Sequence, residues 1–250
     1  MIKYFDINEK GYSVKCKLYC NNVRDIDKVV IYGHGFGGHK DNKAAERFAE
    51  TLLGKYKKVG VITFNLPCHG DDVKKKLVLE DGNDYLESIV KYIQSQWHTD
   101  KIYGYATSFG GYVFLKYILD RKNPFIKLAL RCPAVNMYEV LYALLSQQER
   151  EQLEKGNSVA IGFDHKITIT NSFLEELKEN NVMEKDFTEY FEDILIIHGT
   201  KDEVVPIEPI ATCADNNLSD FIPVENADHR FKDPALMGNA IKMILDFYKM

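Results

Sequence analysis

The stretch Lys101-Ile102-Tyr103-Gly104-Tyr105-Ala106-Thr107-Ser108-Phe109-Gly110-Gly111 decides how this chain is read. A short apolar run meets a serine flanked by small residues. Tyr112, Val113, Leu115, Lys116, Ile118 and Leu119 then follow with helical spacing. That order predicts a strand, a sharp turn and a helix. A serine at the tip of such a turn holds its hydroxyl clear of its neighbours. The pattern is that of a nucleophile elbow, G-x-S-x-G, with Ala106 in place of the first glycine. Only a small side chain is needed there, because the helix backbone passes close by. Alone the pentapeptide proves little. Its weight rests on whether the chain also supplies a base, an acid and an oxyanion hole in the right order.

Outward from the serine, buried strands alternate with helices. Val29-Val30-Ile31-Tyr32 and Val59-Gly60-Val61-Ile62-Thr63-Phe64 are continuous apolar runs, as expected of strands covered on both faces of a parallel sheet. Further strands are expected at 126–130, 194–197 and 221–224, and helices at 43–57, 84–97, 109–121 and 234–249. This alternation implies a parallel sheet with right-handed crossovers and helices on both faces. Residues 2–7 and 12–20 alternate around Gly11 and predict an antiparallel hairpin at the start. Between Cys132 and Asp193 the rhythm breaks. A helix from Met137 to Glu154 leads to two short alternating runs, 159–163 and 166–170, turning at Asp164-His165. A second helix then starts with Asn171 or Ser172 as its cap. Residues 134–187 therefore read as an inserted cap over the strand ends, with 1–133 and 188–250 forming the core.

Composition narrows the classes. The 250 residues are 45% hydrophobic with a net charge of −5, which suits one α/β domain with a large core. Basic residues are scattered and the one run, Lys74-Lys75-Lys76, is short, so no nucleic-acid partner is expected. The five cysteines lack metal-type spacing and read as free thiols of a reducing compartment. No apolar stretch approaches the ~18 residues of a membrane span, and Met1-Ile2-Lys3-Tyr4-Phe5-Asp6 does not open a signal peptide. A cytoplasmic location is expected. The oligomeric state stays open between a single chain and a homodimer.

Chemistry is sought at the carboxyl ends of the strands, where the loops of an open α/β sheet frame a crevice. After Ile31-Tyr32 comes Gly33-His34-Gly35-Phe36-Gly37-Gly38. No Lys-Ser/Thr follows these glycines, which disfavours a phosphate loop. An oxyanion loop fits better, with the Phe36 amide as one donor and the Phe109 amide as the other. His34 is read as a residue that orders this loop, and His69 and Asp71 as parts of a loop fixed by Pro67 and Gly70. After Ile194–Ile197 comes His198-Gly199-Thr200-Lys201-Asp202, and after Val224 comes Glu225-Asn226-Ala227-Asp228-His229. An imidazole with an ordinary pKa near 6.5 can take the serine proton and return it to a leaving group. A carboxylate on its other nitrogen fixes the tautomer. Ser108, Asp202 and His229 are the candidate nucleophile, acid and base. Asp193 precedes its strand and belongs at the wrong edge. Asp228 would have to fold back onto its neighbour, and Glu203 is the remaining rival. The histidines lack ligand-like spacing such as H-E-x-x-H, so neither a metal nor another cofactor is expected.

The order Ser, Asp, His is that of the α/β-hydrolases, and the chain resembles that superfamily over essentially its full length. In detail it is similar to the serine-aminopeptidase-like and monoglyceride-lipase-like branch, which includes bacterial feruloyl/cinnamoyl esterases. The resemblance is carried by His34-Gly35-Phe36-Gly37-Gly38, Pro67-Cys68-His69-Gly70, the Ser108 turn, His198 through Asp202 with Val205-Pro206, and Asp228-His229-Arg230-Phe231. It implies Ser108, Asp202 and His229 as catalytic residues, the Phe36 and Phe109 amides as oxyanion hole, and a cap that shapes the pocket. The expected substrate is a small-molecule carboxylic ester. Tyr138, Tyr142, Phe163 and His165 in the cap are candidate substrate contacts, with the cap's own small core as the other role for the aromatic residues and open solvent as that for His165. A peptidase releasing an N-terminal residue, with Glu139 or Asp164 holding the amine, is the alternative. An acyl-lipid or thioester hydrolase and a non-catalytic binding protein complete the set.

Overall fold

The computed structural model describes residues 1–9, 11–162 and 165–250. Among these, eight strands form one sheet in the order β1-β2-β4-β3-β5-β6-β9-β10. They are β1 (Ile2–Glu9), β2 (Tyr12–Cys20), β3 (Lys28–Gly33), β4 (Val59–Phe64), β5 (Ile102–Thr107), β6 (Phe125–Arg131), β9 (Ile194–Gly199) and β10 (Asp220–Val224). β1 pairs antiparallel with β2, and β2 antiparallel with β4; the remaining neighbours run parallel. The mixed sheet expected from the sequence is what forms. Pro223 lies in edge strand β10, where a missing ladder donor is tolerated.

Two apolar layers sandwich the sheet. On one face α1 (Lys43–Lys55) and α8 (Pro234–Tyr248) bury Phe48, Leu52, Ile241 and Ile244 against Val30, Val61 and Ile197. On the other, α2 (Leu79–Trp97), α3 (Phe109–Asp120) and α7 (Ile207–Asn216) close over Ile31, Ile62, Leu128 and Ile196. Loops from both halves of the chain, those after β3, β5, β9 and β10, meet at the strands' carboxyl ends.

The excursion from β6 to β9 contains α4 (Met137–Leu144), α5 (Gln147–Glu154), an antiparallel pair β7 (Val159–Ile161) and β8 (Ile167–Ile169), and α6 (Asn171–Glu179). The single helix expected over 137–154 is two. The chain breaks at Leu145-Ser146 because Ser146 accepts from the Glu149 N–H while Glu149 reaches back to the Ser146 N–H, a complete capping box. The cap of α6 is Thr170, not Asn171 or Ser172: its hydroxyl accepts from the Phe173 N–H at 3.3 Å. The turn expected at Asp164-His165 falls partly outside the described residues, as does Phe163.

Candidate active site

The turn into α3 is built by strain and close packing. Ser108 sits at φ 53°, ψ −123°, a conformation that costs a non-glycine residue on the order of 1–3 kcal/mol. Hydrogen bonds hold it there from both sides. The Ser108 N–H donates to the Arg131 carbonyl at 3.1 Å, while the Ser108 carbonyl accepts from Tyr112 and Ala134, each at 3.2 Å. Gly110 explains the second glycine of the motif. A Cβ there would lie 2.4 Å from the His34 carbonyl oxygen and 2.8 Å from that of Gly33, both backbone atoms of the loop after β3. The start of α3 is therefore pressed against that loop, and only hydrogen fits between them.

The same loop lies against the serine. A Cβ built on Gly35 would be 3.0 Å from Ser108 Cβ and 3.5 Å from its Oγ, so the Gly35-Phe36 backbone borders the hydroxyl. Phe109 opens α3, so its N–H is one of the first-turn amides that no intrahelical carbonyl can satisfy. The Phe36 and Phe109 rings meet edge to face at 5.6 Å, and both pack on His69, at 5.4 and 6.0 Å.

His34 is buried and joins two loops: its Nδ1–H donates to the Gly35 carbonyl at 2.8 Å, and its Nε2 accepts from the Leu66 N–H at 3.1 Å. His69 donates Nδ1–H to the Pro67 carbonyl at 2.7 Å. Burial, reinforced by the neighbouring His69, pushes His34 well below the usual imidazole range. Burial lowers His69 to about 4, with the Pro67 carbonyl acting in the opposite sense. Both rings are neutral pillars of the loop. A consequence for stability follows from linkage. The unfolded chain binds these protons near pH 6.5, whereas native His69 binds its proton only near 4. Stability is therefore lost as pH falls through that window. Between pH 7 and 5 the His69 contribution is about 2 kcal/mol. Urea unfolding at the two pH values reads it, and His69→Asn is expected to show a shallower pH dependence than the native chain.

On the other side of the serine, His229 Nε2 lies 3.1 Å from Ser108 Oγ and His229 Nδ1 lies 2.7 Å from Asp202 Oδ2. Asp202 Oδ1 accepts from the Val204 and Val205 N–H groups at 2.9 and 2.8 Å. With acceptors on one side and a hydroxyl on the other, His229 carries its proton on Nδ1 and offers Nε2 to the serine. Burial alone would raise the Asp202 carboxyl; hydrogen bonds from His198, His229 and the Val205 amide outweigh it and hold the group far below the usual carboxylate range. It is an anion at any working pH. The two loops are laced together, because the Ala227 carbonyl accepts from Lys201 at 3.0 Å and Thr200 Oγ1 from the Asn226 N–H at 2.9 Å.

The rival acids are placed elsewhere. Glu203 accepts from the His229 backbone N–H at 3.4 Å, not from its ring. Asp228 pairs with Lys232 and caps its N–H. Asp193 pairs with Lys127 where β9 begins. The structure also gathers Arg131 and Cys132, for which the sequence suggested no role at the site, around the residues it did name. Arg131, buried at the end of β6, donates to the Arg230 carbonyl at 3.4 Å and stacks over Phe231 at 5.1 Å, steadying the loop that carries His229. Cys132, His198 and Asp202 bring one potential ligand atom each to within 4.8 Å of one another. Their chemistry is that of a hydrogen-bonded cluster. Burial, then the Asp202 charge, pushes the Cys132 thiol up, and His198 Nε2 faces the Val205 carbonyl at 3.0 Å.

The candidate substrate contacts divide. Tyr138 and Tyr142 stack on each other at 5.6 Å and line a groove of about 240 Å³ with Arg150, Leu153, Asn171 and Leu174, apart from the serine and its partners. Arg150 covers the Tyr142 ring at 4.2 Å. His165 is exposed, with its ring 5.3 Å from that of His39, just beyond the glycine loop. Phe163 lies outside the described residues. An aromatic residue not anticipated, Phe173 of α6, reaches the Phe109 ring at 6.5 Å.

The sequence profile of the prolyl oligopeptidase family matches residues 70–250. No curated protein sequence matches the chain. Among solved structures, Est1E from Butyrivibrio proteoclasticus with ferulic acid bound is similar, with a TM-score of 0.80 at 16% identity over 98% of this chain and 100% of that one. Alpha/beta hydrolase domain-containing protein 10 from mouse gives 0.73 at 18% over 99% and 98%. Monoacylglycerol lipase from Paleococcus ferrophilus gives 0.69 at 17% over 94% and 98%. No helix among the described residues is long and apolar enough to cross a membrane.

Proposed function

Because this chain belongs to the prolyl oligopeptidase family and has the α/β-hydrolase fold, we propose that it is a serine hydrolase acting on small to medium carboxylic esters. The observation that carries this reading is the unbroken line Ser108 Oγ, His229, Asp202, with separations of 3.1 and 2.7 Å. Ser108 attacks the ester carbonyl as His229 takes its proton. The Phe36 and Phe109 amides receive the developing oxyanion. His229 then protonates the departing alcohol, and water reverses the sequence to free the acid.

Residues 134–187 serve as a cap in this proposal. Phe173 against Phe109 and His165 against His39 support it, since they bring the excursion against the start of α3 and the segment after the glycine loop, on either side of Ser108. The half-buried Phe36 ring, on the loop that borders Ser108 and backed by the buried Phe109 ring, favours a flat acyl group, and the likeness to an esterase holding ferulic acid points the same way. The family favours a second reading, a peptidase.

A fluorophosphonate probe tests the nucleophile. The expected result is one adduct per chain, mapped to Ser108 and absent from Ser108→Ala. A folded chain that takes no label would end the hydrolase reading. Esters compared with amino-acyl anilides decide the leaving group, with esters expected to be turned over faster by about 100-fold or more.

A further inference from the structure

We propose that His198 is a positioning residue for Asp202, donating one proton across the Val205 carbonyl and the Asp202 carboxylate and thereby fixing the oxygen on which His229 is held. This rests on the reading of Ser108, His229 and Asp202 given above. His198 is fully buried in β9. Its Nε2 lies 3.0 Å from the Val205 carbonyl and 3.2 Å from Asp202 Oδ2. That oxygen is the one that also meets His229 Nδ1 at 2.7 Å. Both neighbours of Nε2 are acceptors, so the proton sits there. Nδ1 is buried and has no hydrogen-bond partner among the described residues, which an inert packing residue would not need to tolerate.

The arrangement closes a ring. The Val205 N–H binds Asp202 Oδ1 at 2.8 Å and the Val205 carbonyl accepts from His198, whose proton also reaches Oδ2. The carboxylate is thus gripped at both oxygens from one peptide and one imidazole, which sets its plane relative to His229. Two donors also share Oδ2, so His198 draws off part of the charge that would otherwise attract His229. Other ionisable groups around the pair are Cys132 and Arg131 at the end of β6, Glu203 on the acid's loop, and Asp228 with Lys232 beside His229.

Removing the donor has two expected effects. The carboxylate turns more freely, so kcat falls by about 10- to 100-fold with KM little changed, because His198 touches no substrate. Oδ2 also offers more charge to His229, so the imidazolium forms more readily. The acid limb of the kcat/KM profile moves up by roughly 0.5 to 1 pH unit. His198→Leu is expected to show both. His198→Gln, whose amide N–H can replace Nε2–H, is expected to stay within about threefold of the native chain with an unmoved limb. A Leu variant that melts earlier but keeps native kcat and profile would overturn the proposal, as would a Gln variant as impaired as Leu.

Proton NMR supplies readouts that need no turnover. The native chain is expected to show His198 as the Nε2–H tautomer, and the low-field His229 Nδ1–H resonance should shift in His198→Leu. An Nδ1–H tautomer or an unshifted resonance would sink the proposal even in an active enzyme. A shifted resonance in a chain that takes no fluorophosphonate would instead indict the hydrolase reading alone.

Discussion

Ser108→Ala is expected to lower kcat/KM for p-nitrophenyl butyrate by a factor on the order of 10⁴ or more while leaving the melting temperature within a few degrees of the native value. The two halves of that expectation have separate causes. Alanine keeps the Cβ that borders Gly35 and the backbone that Arg131, Tyr112 and Ala134 hold at φ 53°, so the turn should persist. Only Oγ is lost, and with it the bond to the acyl group. Any residual activity would come from water attacking within the oxyanion site. A loss of less than tenfold would show that the ester is cleaved by another group.

Asp202→Asn is expected to cost about 10⁴ in kcat, because it reverses a donor rather than merely removing a charge. Asn would keep its oxygen where Oδ1 now accepts from the Val204 and Val205 amides. Its NH₂ would then occupy the Oδ2 position, facing His229 Nδ1–H and His198 Nε2–H. Three donors cannot share that space. His229 escapes by moving its proton to Nε2, which then points a donor at Ser108 and cannot take the hydroxyl proton. Glu203→Gln is the control, expected to stay within a few-fold, since Glu203 meets the His229 backbone N–H and not its ring. A Glu203→Gln defect as deep as that of Asp202→Asn would move the acid's role to Glu203.

The glycine loop, Ser108 and Asp202 were legible because each follows a continuous apolar strand buried in the parallel sheet, whose loop must open at the carboxyl edge. His229 follows the half-exposed edge strand β10 and was legible from the short apolar run 221–224 alone. What escaped depends on partners far along the chain. α2 begins at Leu79, five residues before the expected start, because its Val78 cap makes no side-chain bond and the Leu79 N–H is satisfied at 2.9 Å by Glu176. α7 was not among the expected helices: Pro206 caps it and Pro209 sits in its first turn, where a missing N–H costs nothing. His198 stood in the sequence as one letter of a motif. Its contact with Asp202 appears only when residues 199–205 curl back over the strand end. Tyr138 and Tyr142 were chosen for being aromatic, and helix packing stacks them on each other, with Arg150 over Tyr142 and Lys178 over Tyr138.

β6 and β9 are separated by more than sixty residues, yet they pair directly, Leu128 with Ile194 through Arg131 with Ile197, and the Cys132 N–H extends the ladder onto the Ile197 carbonyl at 2.8 Å. The sheet is already sealed beneath the excursion. Whatever leaves after Cys132 and returns before Ile194 is, for the ladder, a loop of arbitrary size. Selection can lengthen, exchange or rewrite that loop without touching the strands that aim Ser108, Asp202 and His229. One chassis can thus be refitted to new substrates by grafting a single contiguous piece of chain.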